Sequence, residues 1–235
     1  MAEHESSTDS SVKPLLHNII ALSLPAIASN LVTPLLGMTD VAIAGHLGGA
    51  VFLAAIAVGG NMFNLLYWLF GFLRMGSSGL TAQAFGADDK MRQATVLYQA
   101  LTVALAIGVA FIIMRTPLCG MLLDMMEVEH RAAAMAAEYF MTLIWGAPAM
   151  LGSFVMAGWF LGMQNSKVTM WISILTVIVN IAVSLTLTLA LNLGIYGLAL
   201  GTLSAQWIGF TASVIVCGLK YSPSFPRFIT IFAGT

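Results

Sequence analysis

The chain has 235 residues, of which 59% are hydrophobic and 8% charged, with a mean hydropathy of +0.93 and a formal net charge of −1. A soluble globular domain carries about a quarter charged residues, so this composition excludes one and marks an integral membrane protein. The apolar runs are long and continuous, where barrel strands alternate in short segments, so the spans are helical. The few basic residues form no cluster and do not interleave with aromatics, which gives no footing to a nucleic-acid partner.

Residues 1–14 (MAEHESSTDSSVKP) are polar and acidic with no basic n-region, and are expected to be a disordered cytoplasmic tail rather than a signal peptide. The first span is expected over about 15–44, kinked at Pro25 and at Pro34. The second covers about 51–75. Beyond it, GSSGLTAQAFGADD reads as a helix end and a cytoplasmic loop, without the lysine a phosphate cradle requires. The third covers about 91–114, uncharged between Arg92 and Arg115. The wet stretch RTPLCGMLLDMMEVEHR follows and suits a short interfacial helix. A fourth span covers about 133–161. No charge lies between Lys167 and Lys220, and a crossing helix needs roughly 20 apolar residues, so this stretch holds two spans, about 167–191 and 195–219. Asn192-Leu-Gly194 is the turn between them. Residues 220–235 are expected to be a cytoplasmic tail or a truncated linker. Cys119 and Cys217 fall in different segments without metal-type spacing and read as small apolar fillers.

Charge then orients the spans. With the N-terminus in the cytoplasm, Lys13, Arg74, Lys90, Arg92, Lys167, Lys220 and Arg227 lie inside, against only Arg115 and Arg131 outside. This positive-inside bias returns the C-terminus to the cytoplasm. Trp68, Trp145, Trp159, Trp171 and Trp207 fit interface anchoring and core packing equally well.

Asp40 is the only formally charged residue between Lys13 and Arg74, within LPAIASNLVTPLLGMTDVAIAGHLGG. A carboxylate inside a bilayer costs several kcal/mol unless it is protonated, paired or facing water, so it is the candidate proton or cation site. In the fifth span Thr169, Ser173, Thr176, Asn180, Ser184 and Thr188 recur at helical spacing on one face. Hydroxyls on such a face ordinarily bond back to their own helix or to a neighbouring one, but the amide of Asn180 has four hydrogen-bonding sites to satisfy. Asn30, Thr33, Gly37 and Asp40 share a face of the first span, Asn61 and Asn64 of the second, and Thr202 and Gln206 of the sixth. At about 1.5 Å per residue, Ser184 and Thr202 lie about 12 Å below the Asn192 turn, and Asp40 about 11 Å inside the Leu47-Gly48 loop. Asp40, Asn180, Ser184 and Thr202 can therefore meet in one pocket in the outer half of the membrane.

LPAIASNLVTPLLGMTDVAIAGHLGG, LRMGSSGLTAQAFGADD, GAPAML…VMAGWFLGMQNSKVTM and NIAVSL…LGIYGLALGT, in that order and spacing, resemble the multidrug and toxic compound extrusion (MATE) family, and within it the DinF-like branch. The resemblance covers about Leu15 to Leu219 and is to the N-terminal lobe only. It implies an all-α membrane protein: six transmembrane helices forming one lobe, both termini cytoplasmic, in a bacterial inner membrane. It implies a secondary antiporter that exchanges bulky, amphipathic or cationic compounds for protons or sodium ions, without cofactor. The family's coupling carboxylate falls on Asp40, and its asparagine and threonine on Asn180 and Thr202. Its second carboxylate falls on Ser184. Losing a hard anionic ligand weakens a sodium site, whereas a proton needs one acceptor, so a proton is favoured. Pro25 matches a position associated with bending of the first helix and is read as a hinge, or as a static kink.

Four rivals stay open: an inactive lobe fragment, a channel subunit, an intramembrane enzyme and a lipid-linked substrate flippase. No carbonyl filter or ring of acids supports a channel. An aspartyl protease needs a second buried acid, and His17 and His46 lack a nucleophile motif. A flippase is expected to line its cavity with cations for phosphate, and none stands out in this sequence. The full family architecture has a second lobe, so the chain is expected to need a missing C-terminal lobe or a second copy of itself. The sequence names no substrate.

Overall fold

The computed structural model describes residues 20, 23–29, 31, 37–43, 45, 49–126 and 130–221. Residues 23–29 and 37–43 are helical. There follow α1 (Ala50–Leu69), α2 (Phe72–Gly86), α3 (Lys90–Ile113), α4 (Arg115–Met126), α5 (His130–Leu143), α6 (Ala147–Gly162), α7 (Ser166–Leu185) and α8 (Gly194–Tyr221). Short 3₁₀ and π turns, Ile144–Gly146 and Thr186–Ala190, join α5 to α6 and extend α7. All regular structure among the described residues is helical. Five stretches are long and apolar enough to cross a membrane: Ala50–Gly86, Lys90–Ile113, Arg131–Gly162, Ser166–Ala190 and Gly194–Tyr221. They correspond to the second to sixth expected spans, and α4 is the short helix expected in the wet stretch. The first expected span is described only in part.

One expectation is corrected. Residues 76–86 are helical, not a loop: after a break at Phe70–Gly71 the second span resumes as α2 and runs to Gly86. The small residues that suggest a loop instead permit close helix contact. The carbonyl of Ser78 and the side chain of Thr81 lie where a Cβ at Gly162 would stand, which seats α2 directly on α6. At the end of α2, Asp89 accepts a hydrogen bond from the Arg92 amide at 2.9 Å and caps α3.

Aromatic and aliphatic side chains from α1, α5, α6 and α8 form the core, with Trp159, Phe140, Phe160 and Met62 fully buried. Phe63 stacks on Phe140 with centroids 4.9 Å apart. Trp159 is a core residue, its indole donating to the Gln93 carbonyl at 3.0 Å, whereas Trp68, Trp145, Trp171 and Trp207 are exposed. The guanidinium of Arg115 lies over the Trp145 ring at 5.1 Å.

Helix α7 is inverted relative to a soluble helix. Its buried residues are Ser166, Thr169, Asn180 and Ser184, while Trp171, Leu175 and Ile178 are exposed. That is the expected solution in lipid, where the apolar face needs no shelter and the polar face must be satisfied internally. The turn after α7 carries positive φ at Asn192 (52°) and Gly194 (57°), which the expected Asn-Leu-Gly sequence accommodates. Helices α7 and α8 then run antiparallel in a fixed register. Gly201 packs on Ser184 and Gly209 on Thr176, eight residues further along α8 and eight back along α7. Asn165 donates to the Tyr221 hydroxyl at 2.8 Å and closes the other end.

Candidate functional site

Three elements bring polar atoms onto one buried carboxylate. Asp40 is 5% exposed, and Asn180 and Thr202 are buried beside it. The Thr202 hydroxyl donates to Asp40 Oδ2 at 3.0 Å. The Asn180 amide donates to Thr202 Oγ1 at 2.9 Å and to Asp40 Oδ1 at 3.4 Å. Thr202 is thus the relay, taking a hydrogen from Asn180 and giving its own to the carboxylate. The Leu198 carbonyl, at 3.3 Å, competes for that same single hydrogen from a greater distance. A third donor comes from α5: the Tyr139 hydroxyl donates to Asp40 Oδ2 at 3.5 Å, the weakest of the contacts by length. An ionised carboxylate accepts only, and every group around it here is a donor. A tie lower down joins the N-terminal helical residues to α7, Ser29 Oγ lying 2.8 Å from Ser173 Oγ.

A cavity of about 280 Å³ opens beside this cluster. Gly37, Asp40, Asn64, Thr202 and Gln206 line it, along with Tyr67, Tyr139, Thr169, Thr176 and Arg74. Ser184 does not join Asp40: it faces Gly201, and its hydroxyl is buried with no hydrogen-bond partner. Helix rise sets the level of Ser184 but not its azimuth, and the close approach of α8 turns it toward backbone. Asn61 is exposed and is not among the lining residues. Asn64, three positions further along the same face of α1, lines the cavity and Asn61 does not. Gln206 lines the cavity with its carbonyl oxygen buried and unpartnered. Pro25 is half-buried within helical residues 23–29. Asn30 and Thr33 lie outside the described residues.

Two lining residues escape a sequence reading. Tyr139 is one aromatic in an apolar span, and the only clue to it is general: a buried phenol requires a partner. Arg74 reads from sequence as a cytoplasmic-side charge at the inner end of the second span, yet it lines the cavity. The expectation that the cavity carries no cation is therefore corrected. The helix continues past Arg74 to Gly86, so the arginine is not at the end of its helix.

The fold and the site together define a multi-pass membrane protein, all-helical among the described residues, with a buried carboxylate on a largely apolar cavity. The family model MatE matches residues 25–186, and the chain belongs to that family of transporters. It is 37% identical over 199 residues to DNA damage-inducible protein F of Escherichia coli, a match covering 84% of this chain and 42% of that protein. It is 32% identical over 191 residues to a probable multidrug resistance protein NorM of Bradyrhizobium diazoefficiens, covering 78% and 40%. Among solved structures, a crystal structure of MATE in the bent conformation superposes with a TM-score of 0.79 at 24% identity, covering 92% of this chain and 49% of that one. A MOP superfamily transporter from Pyrococcus furiosus gives 0.77 at 24% identity, covering 92% and 49%. The chain spans about half the length of these relatives.

Proposed function

We propose that this chain forms one lobe of a secondary antiporter that exports bulky amphipathic or cationic compounds in exchange for protons, with Asp40 as the coupling group. The observation that carries the reading is the convergence of Thr202, Asn180 and Tyr139 on Asp40 at the edge of the cavity. With the carboxylate ionised, these donors satisfy it and its charge favours a cationic substrate in the cavity. With the carboxylate protonated, that attraction is gone and substrate leaves. Substrate and proton then oppose each other by linkage, which is antiport. Sodium is the second choice of coupling ion, because Ser184 supplies no second carboxylate.

The remaining parts follow from this reading. The first span completes six helices, with both termini on the cytoplasmic side of a bacterial inner membrane. Pro25 is the hinge at which the first helix bends between states, and the same fold is known in bent and straight conformations. A second lobe, or a second copy of this chain, closes the cavity from the other side.

The test is uptake of a fluorescent lipophilic cation into proteoliposomes under an imposed proton gradient. Gradient-driven flux that disappears in Asp40→Asn supports the reading. Flux that Asp40→Asn leaves unchanged overturns it. Passive conduction that ignores the gradient would favour a channel instead.

A further inference from the structure

The polar face of α7 divides at the level of Asp40. Toward the start of the helix, Thr169, Ser173 and Thr176 line the cavity. Toward the Asn192 turn, Asn180, Ser184 and Thr188 are 0%, 0% and 1% exposed and take no part in the lining. Each keeps one oxygen, Asn180 Oδ1, Ser184 Oγ and Thr188 Oγ1, without a hydrogen-bond partner among the described residues. Other hydroxyls in these helices bond back to their own backbone, as Thr186 does to the Ala182 carbonyl at 2.7 Å and Thr176 to that of Ile172 at 2.9 Å. Buried oxygens left unpaired cost free energy, and ordered water is the usual remedy.

The spacing suits water. Four residues of helix rise about 6 Å, twice the length of a hydrogen bond, so one molecule bridges each step. A third such step, from Thr188, reaches Asn192, which is exposed at the turn. An α-helix drifts by about 40° over four residues, which would rotate Thr188 off this face. The π turn at Thr186–Ala190 holds more residues per turn and takes out part of that drift. The row is separate from its surroundings. Ile181, Leu185 and Leu189, each one place further on, line an apolar groove instead, and α8 packs here through Gly197 and Gly201. Among the described residues, the titratable groups near the row are Asp40 and Tyr139 at its inner end and Tyr196, exposed, by the turn.

Resting on the antiporter reading, we propose that Asn180, Ser184 and Thr188 hold a file of water that carries protons from the Asn192 turn to Asp40, apart from the cavity that substrate occupies. In the proposed topology that turn is extracellular. Each water takes a proton from its outer neighbour and passes one inward, so the file itself is unchanged. The innermost water, held by Asn180 Oδ1, protonates Asp40 Oδ1, which has lone-pair capacity beyond its one contact with the Asn180 amide. With separate routes, a proton arrives while substrate still fills the cavity, which is the condition for displacing it.

The test follows release of bound rhodamine 6G after an acid jump, by stopped-flow anisotropy with the 235-residue chain in phosphatidylcholine nanodiscs. Thr188→Val and Ser184→Ala each remove one oxygen from the file. Thr186→Val makes the same change to an exposed hydroxyl two positions from Thr188. Thr188→Val and Ser184→Ala should slow acid-triggered release about tenfold, the kinetic effect of one lost hydrogen bond, with dye affinity and its pH midpoint kept within about twofold. Thr186→Val should release dye as wild type does. Exchange of bound dye at constant pH should be equal in all four chains, which shows that each is folded. Release from Thr188→Val as fast as from wild type overturns the file and leaves the antiporter reading standing. So does a loss of affinity that accompanies the slowing, since a merely structural role would produce it. Dye affinity that ignores pH on wild type overturns both.

Discussion

Asp40 and Thr202 are 162 residues apart in the chain, and their side chains meet at 3.0 Å. The contact joins the N-terminal helical segment to the last helix. It depends on Asn180 from a third helix, which donates to the same threonine at 2.9 Å. One hydroxyl therefore couples three elements, and the site's stability is concentrated there.

Thr202→Val keeps the shape and removes the hydroxyl. The carboxylate loses its shortest donor and the Asn180 amide loses its best acceptor, so we expect destabilisation of about 1.5–3 kcal/mol, the range for hydrogen bonds to charged groups. Thr202→Ser should retain most of the stability. Thermal unfolding of the purified chain in detergent measures both, and a Thr202→Val chain as stable as wild type would contradict the relay.

Ser184→Ala should behave in the opposite way. The serine hydroxyl is buried without a partner, so its removal relieves an unsatisfied group and is expected to leave the chain unchanged or up to about 1 kcal/mol more stable. A loss comparable to that of Thr202→Val would put Ser184 back in the Asp40 cluster.

Tyr139→Phe should cost less than Thr202→Val. The phenol donates at 3.5 Å, the limit of a useful hydrogen bond, and the ring remains in the core. The expected loss is below about 1 kcal/mol in the same unfolding measurement.

Gly201→Ala probes the helix crossing that sets the site. A Cβ there would overlap the Ser184 backbone, forcing α7 and α8 apart at an expected cost of about 1–3 kcal/mol. Gly218 lies on the same helix, and a Cβ there meets nothing within 4 Å. Gly218→Ala should therefore stabilise by up to about 1 kcal/mol through helix propensity alone. Equal effects of the two substitutions would contradict the close approach.

Much of this was legible in the sequence. Depth put Thr202 and Ser184 at the level of Asp40, and polar residues at helical spacing identified the inward face of α7 that carries Asn180. Periodicity says which residues share a face, but not which neighbour that face meets. Ser184 shares the face of Asn180 yet meets the Gly201 backbone instead of the carboxylate. Small residues are ambiguous for a related reason: the Gly-Ser run at 76–79 suits a loop in water and a tight helix contact in a packed bundle, and only the partner helix α6 decides. Arg74 counts in the sequence only as a cytoplasmic-side charge at the end of the second span, and nothing in its spacing shows that it lines the cavity. Tyr139 was hidden among apolar neighbours that share its spacing.

The central claim is that Asp40 exchanges a proton for substrate. The most direct measurement is proton release when a lipophilic cation is added to the purified chain in weakly buffered detergent solution, compared with Asp40→Asn. The account predicts release by wild type at a pH where Asp40 is partly protonated, saturating together with substrate binding, and none by Asp40→Asn. Equal release by the two chains, or substrate binding to wild type with no proton released across the pH range, would contradict it.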